Sequence, residues 1–376
     1  MTIRIRPPQA ISGRLRPYPG ASDPVEAGAG VARLPQADLK EADGLCAAPA
    51  SSSRQSMMSH TATQSLSAID TISARLEGVG YISTPAISTA VYLAHHLRKP
   101  ILVEGPAGVG KTELAQSLSR CLELPLLRMQ CYEGLDETKA LYEWKYGKQL
   151  LYTQVLRERI RDVMGDAPTL EEAYARLGGF QDLFFSRDFL APRPVLQAME
   201  QPGGSVLLID EIDKADEAFE ALLLEVLSDY QVTVPEIGPI PAVTPPLVLL
   251  TSNNTRELGD ALRRRCLHLF IGFPDAGRER RIVRARAPDV PDRLLHQLVD
   301  FVHSLRSENI RKLPSIAETI DWARTLVLLH ADELEPGLVR DTLNVLLKRQ
   351  ADTAEVSERI ETLTRSAVAG GQPRQS

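Results

Sequence analysis

Apolar side chains recur along this chain at two periods, and the change from one to the other marks out its elements. Ile87, Val91, Ala94 and Leu97 keep helical spacing behind Thr84, which can cap, and Pro85, which suits a first helical position, so a helix is predicted to about Leu97. Ile101 to Glu104 then reads as a short buried strand, Glu113 to Leu122 as a helix and Leu126 to Gln130 as a second strand. Pro202, Gly203 and Gly204 signal a turn ahead of a third strand, Val206 to Asp210. Phe219, Leu222, Leu223, Val226 and Leu227 follow the i, i+3, i+4, i+7, i+8 rule of an amphipathic helix. Leu247 to Ser252, entered through Pro245 and Pro246, is a fourth strand, and Leu267 to Ile271 a fifth. Strands alternating with helices imply an α/β fold on a mostly parallel sheet covered on both faces. From Asp275 onward the helical period dominates without a convincing strand, which predicts a separate all-helical domain.

Composition divides the chain at its other end. The first 60 residues hold seven Pro, five Gly, seven Ser and ten Ala with only isolated aliphatics, too little apolar surface to offset the entropy of ordering. A disordered leader is therefore expected over 1–60, with Met57 and Met58 offering a later start, then a core over 61–274, a helical domain over 275–355 and a tail over 356–376. A length of 376 residues accommodates two to three domains.

Charge and cysteine usage exclude some classes of function. Lys and Arg number 43 against 49 Asp and Glu, a net charge of −6, which lacks the basic field of a dedicated nucleic-acid binder. No uninterrupted apolar run reaches the ~18 residues of a membrane span. The four cysteines, at 46, 121, 131 and 266, form no Cys-x-x-Cys pair and no zinc spacing, and they suit a reducing cytoplasm. Arg4, Arg6, Arg14 and Arg16 make a positive start, but prolines interrupt it and no apolar stretch follows, so no secretory signal is expected.

Chemistry concentrates where strands end. Gly105-Pro106-Ala107-Gly108-Val109-Gly110-Lys111-Thr112 fits G-x-x-x-x-G-K-[ST] between an apolar strand and a helix. The glycines let consecutive N–H groups face a phosphate, the helix N-terminus adds partial positive charge, Lys111 neutralises terminal phosphates, and Thr112 offers a hydroxyl to Mg²⁺. An ordinary strand-to-helix turn has no need of the Gly-Lys-Thr ending. About one hundred residues on, Val206-Leu207-Leu208-Ile209-Asp210-Glu211 delivers two carboxylates to the end of a buried strand, where ligands of open α/β sheets collect. Asp210 is expected to hold Mg²⁺ through its water shell and Glu211 to orient or deprotonate the attacking water. Asp213 and Lys214 read as solvated surface.

Two further segments join them. Leu247-Val248-Leu249-Leu250-Thr251-Ser252-Asn253-Asn254 is an apolar strand ending in amides, of which Asn253 can reach the water or the γ-phosphate, while Asn254 is read as turn. Arg263, Arg264 and Arg265 lie together before the fifth strand. Across a subunit boundary one of them, Arg265 first and Arg264 in reserve, is placed to stabilise charge on a transferred phosphoryl group. The same arginines with Arg278, Arg280, Arg281, Arg284 and Arg286 could instead face nucleic acid, but no aromatic residues are interleaved for base stacking.

In this order the four elements resemble the AAA+ ATPases over about residues 80 to 350. The stretches Gly80-Tyr81-Ile82-Ser83-Thr84-Pro85, Gln130-Cys131-Tyr132-Glu133-Gly134-Leu135-Asp136 and Leu141-Tyr142-Glu143-Trp144 resemble the MoxR family, within it the CoxD-like members associated with carbon monoxide dehydrogenase and related molybdenum hydroxylases. The resemblance implies a five-stranded αβα P-loop sandwich with a helical lid, insertions before the acidic strand, and a hairpin from Tyr230 to about Ala242. It implies ATP and Mg²⁺ as ligands and a homo-oligomeric ring, a hexamer, with Arg265 completing the neighbour's site. It further implies a maturation chaperone with a partner carrying a von Willebrand factor A domain and a metalloenzyme client. The chain departs from the wider AAA+ pattern at Leu313 to Trp322, which carries no arginine at the start of the lid helix; Arg311 or Arg324 could substitute, but both read first as surface residues. Trp322, Leu326 and Leu329 read as lid core. The rival readings are a nucleic-acid-dependent motor or regulator, for which no separate DNA-binding module is visible, and a nucleotide-dependent scaffold with little turnover, against which Glu211 argues.

Overall fold

The computed structural model describes residues 68–135, 137–157 and 184–370, together with Leu66, Thr169 and Glu171. The predicted leader, Cys46 and Asp136 lie outside them. In chain order the elements are α1 (Ile69–Gly78), α2 (Pro85–Leu97), β1 (Ile101–Glu104), α3 (Lys111–Leu122), β2 (Leu126–Gln130), α4 (Glu137–Leu141), β3 (Tyr142–Trp144), α5 (Tyr146–Val155), β4 (Leu190–Pro192), α6 (Pro194–Met199) and β5 (Val206–Asp210). There follow α7 (Glu217–Asp229), β6 (Gln231–Val234), β7 (Gly238–Pro241), β8 (Leu247–Ser252), α8 (Asp260–Arg265) and β9 (Leu267–Phe270). The helical region holds α9 (Ala276–Arg286), α10 (Asp292–Arg306), α11 (Ile316–Leu328), α12 (Pro336–Leu346), α13 (Gln350–Ser357) and α14 (Ile360–Gly370).

Five strands pair in the order β2-β5-β8-β1-β9, every pair parallel. Because successive side chains of a strand point to opposite faces, each apolar run feeds two cores at once. Leu102, Leu207, Ile209, Val248 and Leu250 pack on one face with α6, α7 and the small hairpins, while Ile101, Val103, Val206, Leu208 and Leu249 pack on the other against α1, α2 and α3. That two-sided burial is why the central strands read as unbroken aliphatic runs.

Most of the predicted boundaries recur. Thr84 caps α2, its hydroxyl accepting from Ile87 N at 3.3 Å. β1, β2, β5 and β8 end where the apolar runs end. The expected hairpin is β6 and β7, antiparallel from Gln231 with Pro241 to Val234 with Gly238. Two limits move. α3 begins at Lys111 rather than Glu113, because the loop glycines lead straight into the helix, and β9 ends at Phe270 rather than Ile271.

The helical region has its own core around Trp322, whose ring lies 5.3 Å from Phe301 and whose indole N–H donates to Thr342 Oγ1 at 2.9 Å. Leu326 joins it, but Leu329, read as core, is 53% exposed, because α11 ends at Leu328 and the helical spacing no longer holds beyond it. The region runs on past 355: α14 places Ile360, Leu363 and Ala367 in the same core. Beneath α11 the fully buried carboxylate of Glu279 accepts from Arg306 Nη1 at 2.6 Å and Nη2 at 2.8 Å, from Thr319 Oγ1 at 2.9 Å and pairs with His303 at 2.9 Å. This cluster ties α9, α10 and α11 together.

The arginine run of α9 joins this region to the sheet domain. Arg281 pairs with Glu77 of α1, Arg286 with Glu113 of α3, and Arg278 Nη2 donates to Ile82 O at 2.9 Å. Arg280 and Arg284 pair within the helical region, with Asp300 and Asp292. The run has intramolecular partners throughout.

Candidate functional site

The loop 105–112 follows β1, which lies between β8 and the edge strand β9, and passes between the end of β9 and the start of α11. Gly105 has no room for a side chain: a Cβ there would lie 2.0 Å from Ile271 O. At Gly108, whose φ is +75°, a Cβ would meet Ser315 Oγ at 2.3 Å. Ser315 is the N-cap of α11, fixed by a reciprocal capping box with Glu318, so α11 begins directly against the loop.

Lys111 opens α3 and is 7% exposed. Its ammonium donates to Gly105 O at 2.6 Å, Pro106 O at 2.8 Å and Asn253 Oδ1 at 2.7 Å. Burial lowers its pKa, opposed by the nearby carboxylates of Asp213, Asp210 and Glu211. Next to it, Thr112 Oγ1 donates to Asp210 Oδ1 at 3.1 Å. Thr112 and Asp210 together offer hard oxygen donors at the foot of the glycine-rich loop, a donor set that fits Mg²⁺ carried on a triphosphate.

Asp210 and Glu211 leave β5 in different directions. Glu211 sits at φ +58°, a left-handed conformation that costs a non-glycine residue energy and that swings its side chain out of the strand's alternation. Thr251 of β8 pins this corner, accepting from Glu211 N at 2.9 Å and donating to Asp210 Oδ1 at 2.5 Å. The Glu211 carboxylate receives Asn253 Nδ2 at 3.3 Å, Gln130 Nε2 at 3.0 Å and Lys214 Nζ at 2.5 Å. Asp210 Oδ2 pairs with Arg128 Nη2 at 2.6 Å.

Asp213 corrects the expectation of a solvated surface. It is 3% exposed, and its Oδ2 accepts from Asn253 N at 3.3 Å, Thr255 N at 2.9 Å and Thr255 Oγ1 at 2.5 Å. Burial alone would raise its pKa, but these hydrogen bonds hold it below the ordinary carboxylate value. It therefore fixes the turn that presents Asn253. Lys214 is half exposed and reaches Glu211. Asn254, read as turn, has φ +58° and its N–H donates to Ser252 Oγ at 3.0 Å.

The polar pocket is lined by Ala107, Gly108, Gly110, Lys111, Thr112, Asp210, Glu211, Thr251 and Asn253, with Ala317 of α11. It shares Gly108, Gly110, Glu113 and Ala317 with an adjoining, largely apolar cleft of about 280 Å³. Tyr81, Ile82, Val109, Ile271, Ile282, Ile316 and Ile320 wall that cleft, with Arg278, Arg286 and Arg324 at its border. Burial pushes the Tyr81 phenol up to about 12. A cleft apolar at one end and cationic and amide-rich at the other suits an aromatic base joined to a phosphate chain. Arg324, one of the two substitutes for a lid arginine, borders the cleft and donates to Arg286 O at 3.1 Å, while Arg311 does not line it.

The structure separates the arginine triplet. Arg263 points inward and pairs with Glu104 at 3.4 Å, the last residue of β1, which also pairs with His268 at 2.6 Å. Arg264 is 82% exposed, and Arg265 is exposed with Nε donating to Ser228 Oγ at 2.5 Å. Neither lines the pocket of its own chain. Sequence reasoning missed Thr251, Arg128 and Gln130 as site residues. Arg128 had a signal, a lone charge inside an apolar strand; Thr251 had none, since a β-branched residue is ordinary there.

Residues 100–266 match the AAA domain family of the dynein-related subfamily. An uncharacterized protein of Staphylococcus epidermidis is 27% identical over 238 residues, 61% of this chain and 76% of its own, and one of Staphylococcus aureus is 26% identical over the same share. Among solved structures, the RuvB Holliday junction branch migration motor of Thermotoga maritima aligns with 74% of each chain at 19% identity and a TM-score of 0.38. The parallel five-stranded sheet with its phosphate-type loop and following helices is the AAA+ P-loop fold. Among the described residues no helix is long and apolar enough to cross a membrane.

Proposed function

We propose that this chain is an Mg²⁺-dependent ATPase of the MoxR type that works as a ring to remodel a client metalloenzyme during its maturation. The observation that carries the enzymatic part is the convergence of Lys111, Thr112, Asp210, Glu211 and Asn253, from three parallel strand ends, on one polar pocket continuous with an apolar cleft.

In this reading the apolar cleft takes the base and the loop amides with Lys111 take the β- and γ-phosphates. Thr112 and Asp210 would hold Mg²⁺, which when bound would supply positive charge against that developing on the phosphates. Glu211 holds a water in line and accepts its proton; its carboxylate is oriented for this by Asn253 and Gln130. Arg265 of a neighbouring subunit completes the site, which agrees with its exposure and its separation from its own chain's pocket. Ser315 and Ala317 bring the lid against the loop, so nucleotide state shifts lid position to the extent that ATP and ADP bind the two arrangements differently.

A hexameric ring, the von Willebrand factor A domain partner and the metalloenzyme client rest on the resemblance in sequence. Purification of the Glu211→Gln form from its native host, followed by mass spectrometry, tests them: a metalloenzyme and a partner of that domain type are expected with it, and their absence would remove the assignment. Against a nucleic-acid motor stand the paired arginines of α9. Filter binding over a salt series is expected to find no steep salt-dependent affinity.

A further inference from the structure

We propose that Arg128 is a resident counter-ion of Asp210 that keeps the site from taking up a divalent cation unless a triphosphate brings it. The inference rests on the reading of Asp210 as a metal-holding carboxylate. Arg128 projects from the edge strand β2, and its Nη2 lies 2.6 Å from Asp210 Oδ2 and 3.0 Å from Gln130 Oε1. The other carboxylate oxygen is held by Thr251 at 2.5 Å and by Thr112 at 3.1 Å. Both oxygens of Asp210 are thus engaged by donors from its own chain.

Charge balance leads the same way. The carboxylates of Asp210, Glu211 and Asp213 are matched by Lys111, Arg128 and Lys214, so the cluster carries no net negative charge with which to draw in a free dication. Among the described residues no group of three or more His, Cys, Asp or Glu side chains is placed to hold a metal by itself. A triphosphate supplies both the missing charge and further oxygens. Even at the screening of bulk water, a unit positive charge about 4 Å from a divalent ion weakens its binding roughly thirtyfold. Arg128 therefore makes metal uptake conditional on nucleotide.

The test is a titration of Mn²⁺ alone, followed by electron paramagnetic resonance, on the full chain and on Arg128→Gln, then with a nonhydrolysable ATP analogue. Arg128 is 48% exposed on an edge strand, so its replacement leaves the cores intact. Arg128→Gln is expected to bind Mn²⁺ alone at least about tenfold more tightly than the wild type, Arg128→Lys to stay near the wild type, and adding Asp210→Asn to Arg128→Gln to remove the gain. Equal affinity for Mn²⁺ alone in the wild type and Arg128→Gln, while the wild type takes up Mn²⁺ with the analogue, would overturn the role of Arg128 and leave the nucleotide site standing. A wild type that takes up no Mn²⁺ even with the analogue would overturn the metal site and this inference with it.

Discussion

Lys111 and Asn253, 142 residues apart, are joined by a 2.7 Å hydrogen bond from the ammonium to the side-chain carbonyl. The amide nitrogen of the same Asn253 donates to Glu211 at 3.3 Å. One side chain thus links the ammonium that opens α3 to the carboxylate that follows β5, the two groups proposed to neutralise phosphate and to handle water.

Asn253→Ala is expected to separate binding from turnover. The loop amides and Lys111 remain, so ATP affinity should change by no more than a few-fold, while kcat falls about 10- to 100-fold as Glu211 loses its orienting amide. Equal losses in affinity and turnover, measured by equilibrium binding of a labelled nucleotide and by phosphate release, would place Asn253 in ground-state binding instead.

Arg265→Ala tests the shared site. Turnover is expected to drop about 10³-fold or more with monomer nucleotide affinity unchanged. Mixing it with Glu211→Gln should restore some activity, because some interfaces then join an intact Glu211 to an intact Arg265. No rescue at any ratio would mean that the site is completed within one chain. Arg264→Ala in parallel distinguishes the two exposed arginines.

Most of this site was legible because its parts are local motifs at strand ends. An apolar run ending in Asp-Glu or in Thr-Ser-Asn forms a strand and leaves its polar residues at the sheet's C-terminal edge whatever the rest of the chain does. Asp213 was misread for the opposite reason. Its partners Asn253 and Thr255 are about 40 residues away, and only the parallel pairing of β5 with β8 brings them to it. The sequence likewise left open a nucleic-acid-facing role for the arginines of α9, against which it offered only the lack of interleaved aromatics; their partners Glu77, Glu113, Asp292 and Asp300 lie on other helices that spacing does not bring together. The exposure of Leu329 depends on where α11 stops, which helical spacing alone does not fix.

Asp213 gives a prediction in pH. Its pKa is depressed, so its contribution to stability is fully present above its ordinary value of 3.8 and is lost as pH falls through the lower folded value. Asp213→Asn should cost about 1–3 kcal/mol near neutrality. The difference in Tm between wild type and variant should shrink as pH drops below about 4. A difference that stays constant down to pH 2 would contradict the ionised, hydrogen-bonded carboxylate.

Glu279→Ala leaves Arg306, whose side chain is 8% exposed, without its carboxylate. Breaking such a buried pair costs about 3–5 kcal/mol, read as a lowered urea midpoint. Because the cluster supports the helix whose N-cap touches Gly108, nucleotide affinity is expected to weaken as well. Unchanged stability would show that the cluster does not hold the lid together.

The most direct measurement is ATP binding and hydrolysis by Glu211→Gln beside the wild type in Mg²⁺. The account predicts that the variant binds ATP as tightly as the wild type and retains it, with hydrolysis reduced at least about 10²-fold. Hydrolysis at the wild-type rate in the variant would contradict the assignment of Glu211, and with it the reading of this pocket as the catalytic centre.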